Sequence, residues 1–371
     1  MKKSIVFLTL IALFLSCTKG EDTTDENENN FNRTALLTNW ADNIIVPRYV
    51  NYQTKVHSLV TDINTFNITP TVANLQTLRV SWLEAYKAFQ CVGQFNFGKA
   101  EDVYLRDAAN TYPANASGIE TNIGSGTYNL TLISQFDKQG FPALDYLLHG
   151  LATTDDATVA FYATNANAAK YRQYLTAVAN RLKTNIDTVV TDWNSGYKAT
   201  YIANNGTSII SAVNITTNNF VKNFEKDIRT GKVGIPAGKF SNGVKYPEKV
   251  EAYYKNEVSK ILLNEAVKAS QDFFNGKHFA SATTGESLKS YLDFVNAVRS
   301  GQKLSDIINN QFTAVFTANN ALNNSFSTQV TVDNSKMQTA FDVMQQNVVY
   351  TKLDMMQALN ISIDYVDSDG D

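Results

Sequence analysis

Asp145 and His149 stand four residues apart in a stretch of helical periodicity, which places a carboxylate and an imidazole on one helix face. Completed by Glu101 or Asp102 from the segment upstream, they would make an Asp, His and oxygen-ligand set suited to iron or zinc, a cation able to polarise a substrate or activate water. The competing reading needs no metal: Asp145 favours the start of its helix through the macrodipole, and His149 meets the last carbonyls before Gly150. Glu101, Arg106 and Tyr112 border an irregular stretch and suit a polar ligand in a cleft, with ordinary surface pairing as the alternative for Glu101 and Arg106. Phe95, Phe97 and Tyr112 offer rings on which a sugar could stack. Of the three histidines, His57 and His278 have no ligand-type neighbours in sequence and read as surface residues. Asp367, Asp369 and Asp371 have the opening spacing of a calcium loop, without its sixth-position glycine or closing glutamate.

Several chemistries find no footing. There is no His-Glu-x-x-His pair, no Gly-x-Ser-x-Gly elbow, no dinucleotide fingerprint and no glycine-rich phosphate cradle. The formal net charge is -3, and neither a basic stripe nor an aromatic-plus-arginine ladder is present, so nucleic acid is excluded as the expected partner.

The elements that must position these residues read as long amphipathic helices, with no convincing period-two strand. Leu75, Leu78, Trp82, Tyr86, Phe89 and Val92 fall at steps of three or four and predict a helix over 70–95, capped by Thr69 with Pro70 in its first turn. A preceding helix over 34–62 contains Pro47, where a kink or break is expected. The pattern dissolves between Gly93 and Gly140 and resumes at Phe141. Beyond a polar boundary at 153–156, further helices are expected over 166–193, 207–230, 247–275, 286–298, 304–322 and 334–360. Most aromatic residues lie on these stripes, where packing accounts for them. The fold class is all-α, with two antiparallel helical-bundle domains at 31–155 and 156–371.

The N-terminus supplies an address. Lys2, Lys3, the apolar run 5–15 and Ser16-Cys17 form a lipoprotein signal peptide over 1–16, too short in its apolar core to span a membrane. Cys17 is then the lipidated first residue and the anchor to the membrane. Residues 18–30 contain no apolar side chain, so 17–30 reads as a disordered tether. Lys19, Glu21 and Asp22 resemble an acidic tag for the outer membrane, on its periplasmic or exterior face. With Cys17 lipidated, Cys91 is the remaining thiol and no internal disulfide forms.

Four blocks in order carry a resemblance to one family. Phe95-Asn96-Phe97-Gly98-Lys99-Ala100-Glu101 is followed by Tyr112-Pro113; then come Gly140-Phe141-Pro142-Ala143-Leu144-Asp145, Gly231-Lys232-Val233-Gly234-Ile235-Pro236-Ala237-Gly238, and Asn360-Ile361-Ser362-Ile363-Asp364-Tyr365 with its aspartate-rich tail. Together they resemble the imelysin-like proteins, the M75 peptidase family of the cell envelope. The resemblance implies two helical bundles with a site near their interface, a link to iron uptake, and a Gly-x-His-x-x-Glu motif whose His and Glu positions are Pro142 and Asp145 here. Proline cannot ligate a metal and aspartate has a shorter arm, so the implied ligand pair is altered at both positions. The expected function is a non-proteolytic envelope binding protein whose ligand is a metal ion, a small molecule or an envelope partner protein. The alternatives are a metal-dependent M75-type hydrolase using Asp145, His149 and Glu101, and a glycan-binding lipoprotein.

Overall fold

The structure, a computed structural model, describes residues 31–365, and the chain from Asn32 onward forms one compact unit. The signal peptide, Cys17, the tether and Asp367, Asp369 and Asp371 lie outside the described residues. No helix among the described residues is long and apolar enough to cross a membrane.

The architecture is all-α. The principal helices are α1 (Val46–Ile68), α2 (Val72–Gln90), α3 (Gly140–Asp145), α4 (Ala168–Asp192), α5 (Ala212–Lys222), α6 (Ser259–Phe274), α7 (Leu304–Asn320) and α8 (Asn334–Val348). Each long helix buries the stripe its sequence spacing marks: Leu75, Leu78, Trp82, Tyr86 and Phe89 in α2, and Tyr171, Leu175, Val178, Leu182, Ile186 and Val189 in α4. Helices α1, α2, α3 and α4 pack together, as do α6, α7, α8 and the 223–234 segment that continues α5; α6 also lies against α2. The sequence reading puts α4 beyond the boundary at 155/156, yet its apolar stripe is buried along α1, and packing groups it with the helices before that boundary.

Several local readings are corrected. Helix α2 is capped by Thr71, whose hydroxyl accepts the Asn74 amide at 3.3 Å, because Pro70 holds the chain extended before the first turn. Pro47 neither breaks nor ends its helix. A wide π-type turn over Trp40–Ile45 precedes it, and the Asn43 carbonyl, which an α-helical amide at 47 would take, accepts the distant Phe279 amide at 2.8 Å. The helix expected over 247–275 is interrupted. Pro247–Lys249 makes one tight turn, Ala252 and Asn256 take left-handed conformations (φ 56° and 63°), and α6 starts only at Ser259. A two-residue hairpin, Val298–Arg299 with Gln302–Lys303, turns through Ser300 and Gly301, both at positive φ; it is too short for a period-two pattern to show.

Charged side chains enter the core of the second half. The Glu225 carboxylate accepts Lys352 Nζ at 3.0 and 3.2 Å and the Tyr365 hydroxyl at 2.7 Å, with the buried Arg229 Nη2 3.8 Å away. Ser362 and Asp364 donate their amides to Asn214 and Asn218 at 3.1 and 3.0 Å, so the described C-terminal residues are pinned to α5.

Candidate functional site

Helix α3 begins with Gly140 at φ +74°, backed so closely onto Leu105–Asn110 that a Cβ there would sit 2.3 Å from the Ala109 carbonyl oxygen. Only glycine meets both demands. Pro142 lies buried in the first turn, where its missing amide costs no helical hydrogen bond. The helix then widens through Tyr146–Gly150, which carries His149.

Asp145 is buried, 1% exposed, and both of its oxygens are occupied: Oδ2 accepts the Tyr254 amide at 2.8 Å and Oδ1 the Lys255 amide at 2.9 Å. Burial raises its carboxyl to about 7, while the two backbone amides pull it the other way. Asp145 therefore binds the 251–256 turn rather than serving the dipole of its own helix. Among the described residues His149 Nε2 is buried without a hydrogen-bond partner, and the ring stands edge-on to Trp82, centroids 5.1 Å apart. Desolvation, helped by Arg79 and Lys255, lowers its imidazole to about 3. The last carbonyls are met instead by Arg79, which donates Nε and Nη2 to Leu148 O at 2.9 and 2.6 Å and Nη1 to Asp155 at 2.6 Å.

The expected metal set is not assembled. Glu101 is exposed on the short helix Lys99–Asp102, and among the described residues no group of three or more His, Cys, Asp or Glu side chains converges to hold an ion. With both Asp145 oxygens engaged by amides and His149 set against Trp82, these residues do not fit a resident iron or zinc ion. The stacking surface also fails. Phe95 and Phe97 are 1% and 3% exposed, Phe97 stacking on Tyr201 and Phe95 meeting Phe273, so both rings belong to the core. His57 is surface-exposed in part, but it has a partner the sequence did not disclose: Nε2 lies 2.6 Å from Asp187.

Arg106 and Tyr112 do meet, on the wall of a cleft of about 450 Å³ between Leu105–Asn110, the end of α2 and the 223–234 segment. Arg106 donates Nη1 to Asp227 at 3.2 Å and Nε to Asp107 at 3.1 Å. Burial, reinforced by Glu251 and Asp227, pushes the Tyr112 phenol well above its usual value and keeps it a neutral donor. Lys226, Lys232 and Lys249 complete a lining of four cationic against two anionic side chains. Beneath them lies Glu251, 1% exposed, accepting Gln90 at 3.0 Å, Asn110 at 2.8 Å and the Lys232 ammonium, while Tyr86 donates to Asn110. A ligand entering this cleft meets a fixed guanidinium, a phenol and lysines on a floor whose polar groups are mutually satisfied.

Asp227, Lys232, Glu251 and Asn110 were not singled out as site residues from the sequence. One signal was available: Glu225, Arg229 and Lys232 recur at steps of four and three, marking a charged face on a helix that must bury.

A family model for the imelysins, the M75 peptidases, matches residues 45–352. The chain belongs to the imelysin family. It is 27% identical over 164 residues to the iron-regulated protein A of Synechococcus elongatus, a stretch covering 43% of this chain and 41% of that protein. The chain thus matches less than half the length of this curated relative. Two solved structures share the imelysin fold. One, from Parabacteroides distasonis, is described as an iron-regulated protein A precursor; it has a TM-score of 0.72 at 15% identity, covering 88% of this chain and 94% of that one. The other, an imelysin-like protein of Psychrobacter arcticus, has a TM-score of 0.69 at 16% identity, covering 90% and 97%.

Proposed function

We propose that this imelysin-family protein is a lipid-anchored envelope protein that binds a small anionic ligand in the Arg106 cleft and serves iron uptake without cutting peptides. The observation that carries the reading is the contrast between two neighbouring sites. Asp145 and His149, on the helix that the resemblance makes a ligand helix, are consumed by the fold, whereas Arg106, Tyr112, Lys232 and Lys249 line an open cleft of about 450 Å³. Arg106, Lys226, Lys232 and Lys249 stand against Asp107, Asp227 and the Glu251 beneath, a small positive excess that favours a carboxylate-bearing ligand over a bare cation, so iron would arrive already complexed. Pro142 and Asp145, at the positions given by resemblance to His and Glu, agree with a binding rather than a hydrolytic role.

The envelope location rests on Lys2, Lys3, the apolar run 5–15 and Cys17, and on the precursor description of the Parabacteroides relative. The two-domain organisation belongs to the same proposal. Arg106 and Tyr112 precede the boundary at 155/156 and Asp227 and Lys232 follow it, so a ligand between them would touch both halves.

Calorimetric titration with zinc(II), iron(II), iron(III) citrate and citrate alone tests the reading. Preferential binding of the ferric complex, without turnover of peptides, supports it. Tight binding of a bare divalent ion that is abolished by Asp145→Ala or His149→Ala would restore the metallohydrolase reading, and equal binding of citrate would remove the iron link.

A further inference from the structure

A second cleft, of about 430 Å³, opens where the start of α1 and the end of α2 meet α6, and it shares no lining residue with the Arg106 cleft. Arg48 lines it while only 3% exposed. Its Nη1 donates to the main-chain oxygens of Cys91 and Ala269 at 3.4 and 3.2 Å, and its guanidinium lies 5.8 Å from the centre of the Phe95 ring. Among the described residues, Nε and Nη2 have no hydrogen-bond partner and no carboxylate forms an ion pair with the group. Asp272, the acid whose field reaches Arg48, is engaged by Lys268 and by Lys277 at 3.7 Å. Cys91 does not supply the missing charge, because burial pushes its thiol up and keeps it protonated.

A guanidinium keeps its charge in any protein interior, and one withdrawn from most of its water without a counter-charge is destabilising. Two carbonyls satisfy one nitrogen; the other two form a fork that matches two oxygens of one oxyanion. The roof of the cleft is built to last. Lys277 bridges to Thr284, and the Phe279 amide is fixed to the Asn43 carbonyl that Pro47 leaves available one residue before Arg48. That loop contributes Lys277 and His278 to the lining, and α6 adds Lys268; Glu265 and Asp272 are the acids on it.

We propose that this cleft is an anion site in which the Arg48 fork holds a small oxyanion, a carboxylate or a phosphate, with Lys277 and His278 of the loop above on the lining. The occupant is the counter-charge that the fold itself omits. Cys91 shares the cleft and reports on it, being the sole thiol once Cys17 is replaced.

The experiment uses the full chain carrying Cys17→Ser and follows maleimide alkylation of Cys91, with inorganic phosphate or succinate added against sodium chloride of equal ionic strength. At ten times the dissociation constant, alkylation slows about tenfold and the melting temperature rises, as mass action requires. The more effective of the two probes identifies the oxyanion class. Arg48→Met keeps the apolar stem, abolishes both responses and leaves the unliganded melting temperature equal or higher. If that variant does not fold, Lys277→Ala decides, with protection weakened severalfold. If Cys91 does not react in the free protein, the thermal shift alone decides. Neither probe shifting the melting temperature, or Arg48→Met lowering stability while retaining the phosphate response, overturns the proposal.

Discussion

The carboxylate of Asp145 accepts the main-chain amides of Tyr254 and Lys255, 2.8 and 2.9 Å away and more than one hundred residues along the chain. This contact fastens helix α3 to the turn that carries Glu251, and Glu251 in turn holds the Lys232, Gln90 and Asn110 side chains under the cleft. Asp145 thereby shapes the cleft without lining it. Asp145→Ala strands two part-buried amides, and at about 1–3 kcal/mol each the loss is at most roughly 2–6 kcal/mol in urea unfolding. Asp145→Asn keeps one acceptor and loses about half as much.

Asp145 and His149 act on stability in opposite directions as pH changes. The Asp145 carboxyl, raised to about 7, binds its proton more tightly in the folded state, so its contribution is full below the unfolded value near 4 and is lost as pH rises through 7. His149, lowered to about 3, favours the folded state above the unfolded value near 6.5, and that contribution is lost as pH falls toward 3. Between pH of about 4 and 6.5 the two slopes oppose each other. Unfolding free energies across this window are therefore nearly flat, as far as this pair is concerned, in the native protein. They fall on acidification in Asp145→Asn and fall on alkalinisation in His149→Phe.

Gly140→Ala forces a Cβ to within 2.3 Å of the Ala109 carbonyl at a backbone φ of +74°. Clash and strain together cost roughly 2–4 kcal/mol, read as a lowered urea midpoint with an unchanged denaturant slope.

The helical stripes were legible because a 3.6-residue period needs no knowledge of the partner: Leu75 to Phe89 and Tyr171 to Val189 are buried as spaced. Gly140 is marked by its motif and Arg106 by its place beside an irregular segment; the structure gives the first a positive φ and puts the second on the wall of a cleft. The partners of Asp145 were not, since amides of Tyr254 and Lys255 carry no side-chain signature. Val250, Tyr253 and Tyr254 read as helix, and only the left-handed backbone of Ala252 and Asn256 breaks it, which neither residue type announces. Phe95 and Phe97 looked like ligand platforms because they sit in an irregular stretch, yet irregular backbone also supplies core rings. Glu225, Arg229, Lys232 and Glu251 are not legible as core residues because charge ordinarily means surface, and their burial depends on pairing between residues distant in sequence.

Lys232 and Glu251 test that pairing. Lys232→Met alone leaves a carboxylate buried beside Gln90 and Asn110 and costs about 3–5 kcal/mol. The double variant Lys232→Met/Glu251→Gln recovers most of the loss, a coupling measurable by a double-mutant cycle in urea.

The most direct test of the cleft as the binding site is calorimetry of iron(III) citrate on three folded proteins: the native chain, Arg106→Ala, and His149→Gln combined with Glu101→Gln. Removing the Arg106 guanidinium weakens binding by at least about tenfold, equivalent to 1.4 kcal/mol, while the His149/Glu101 variant binds as the native chain does. Loss of binding in the His149/Glu101 variant, with Arg106→Ala unaffected, would contradict the account.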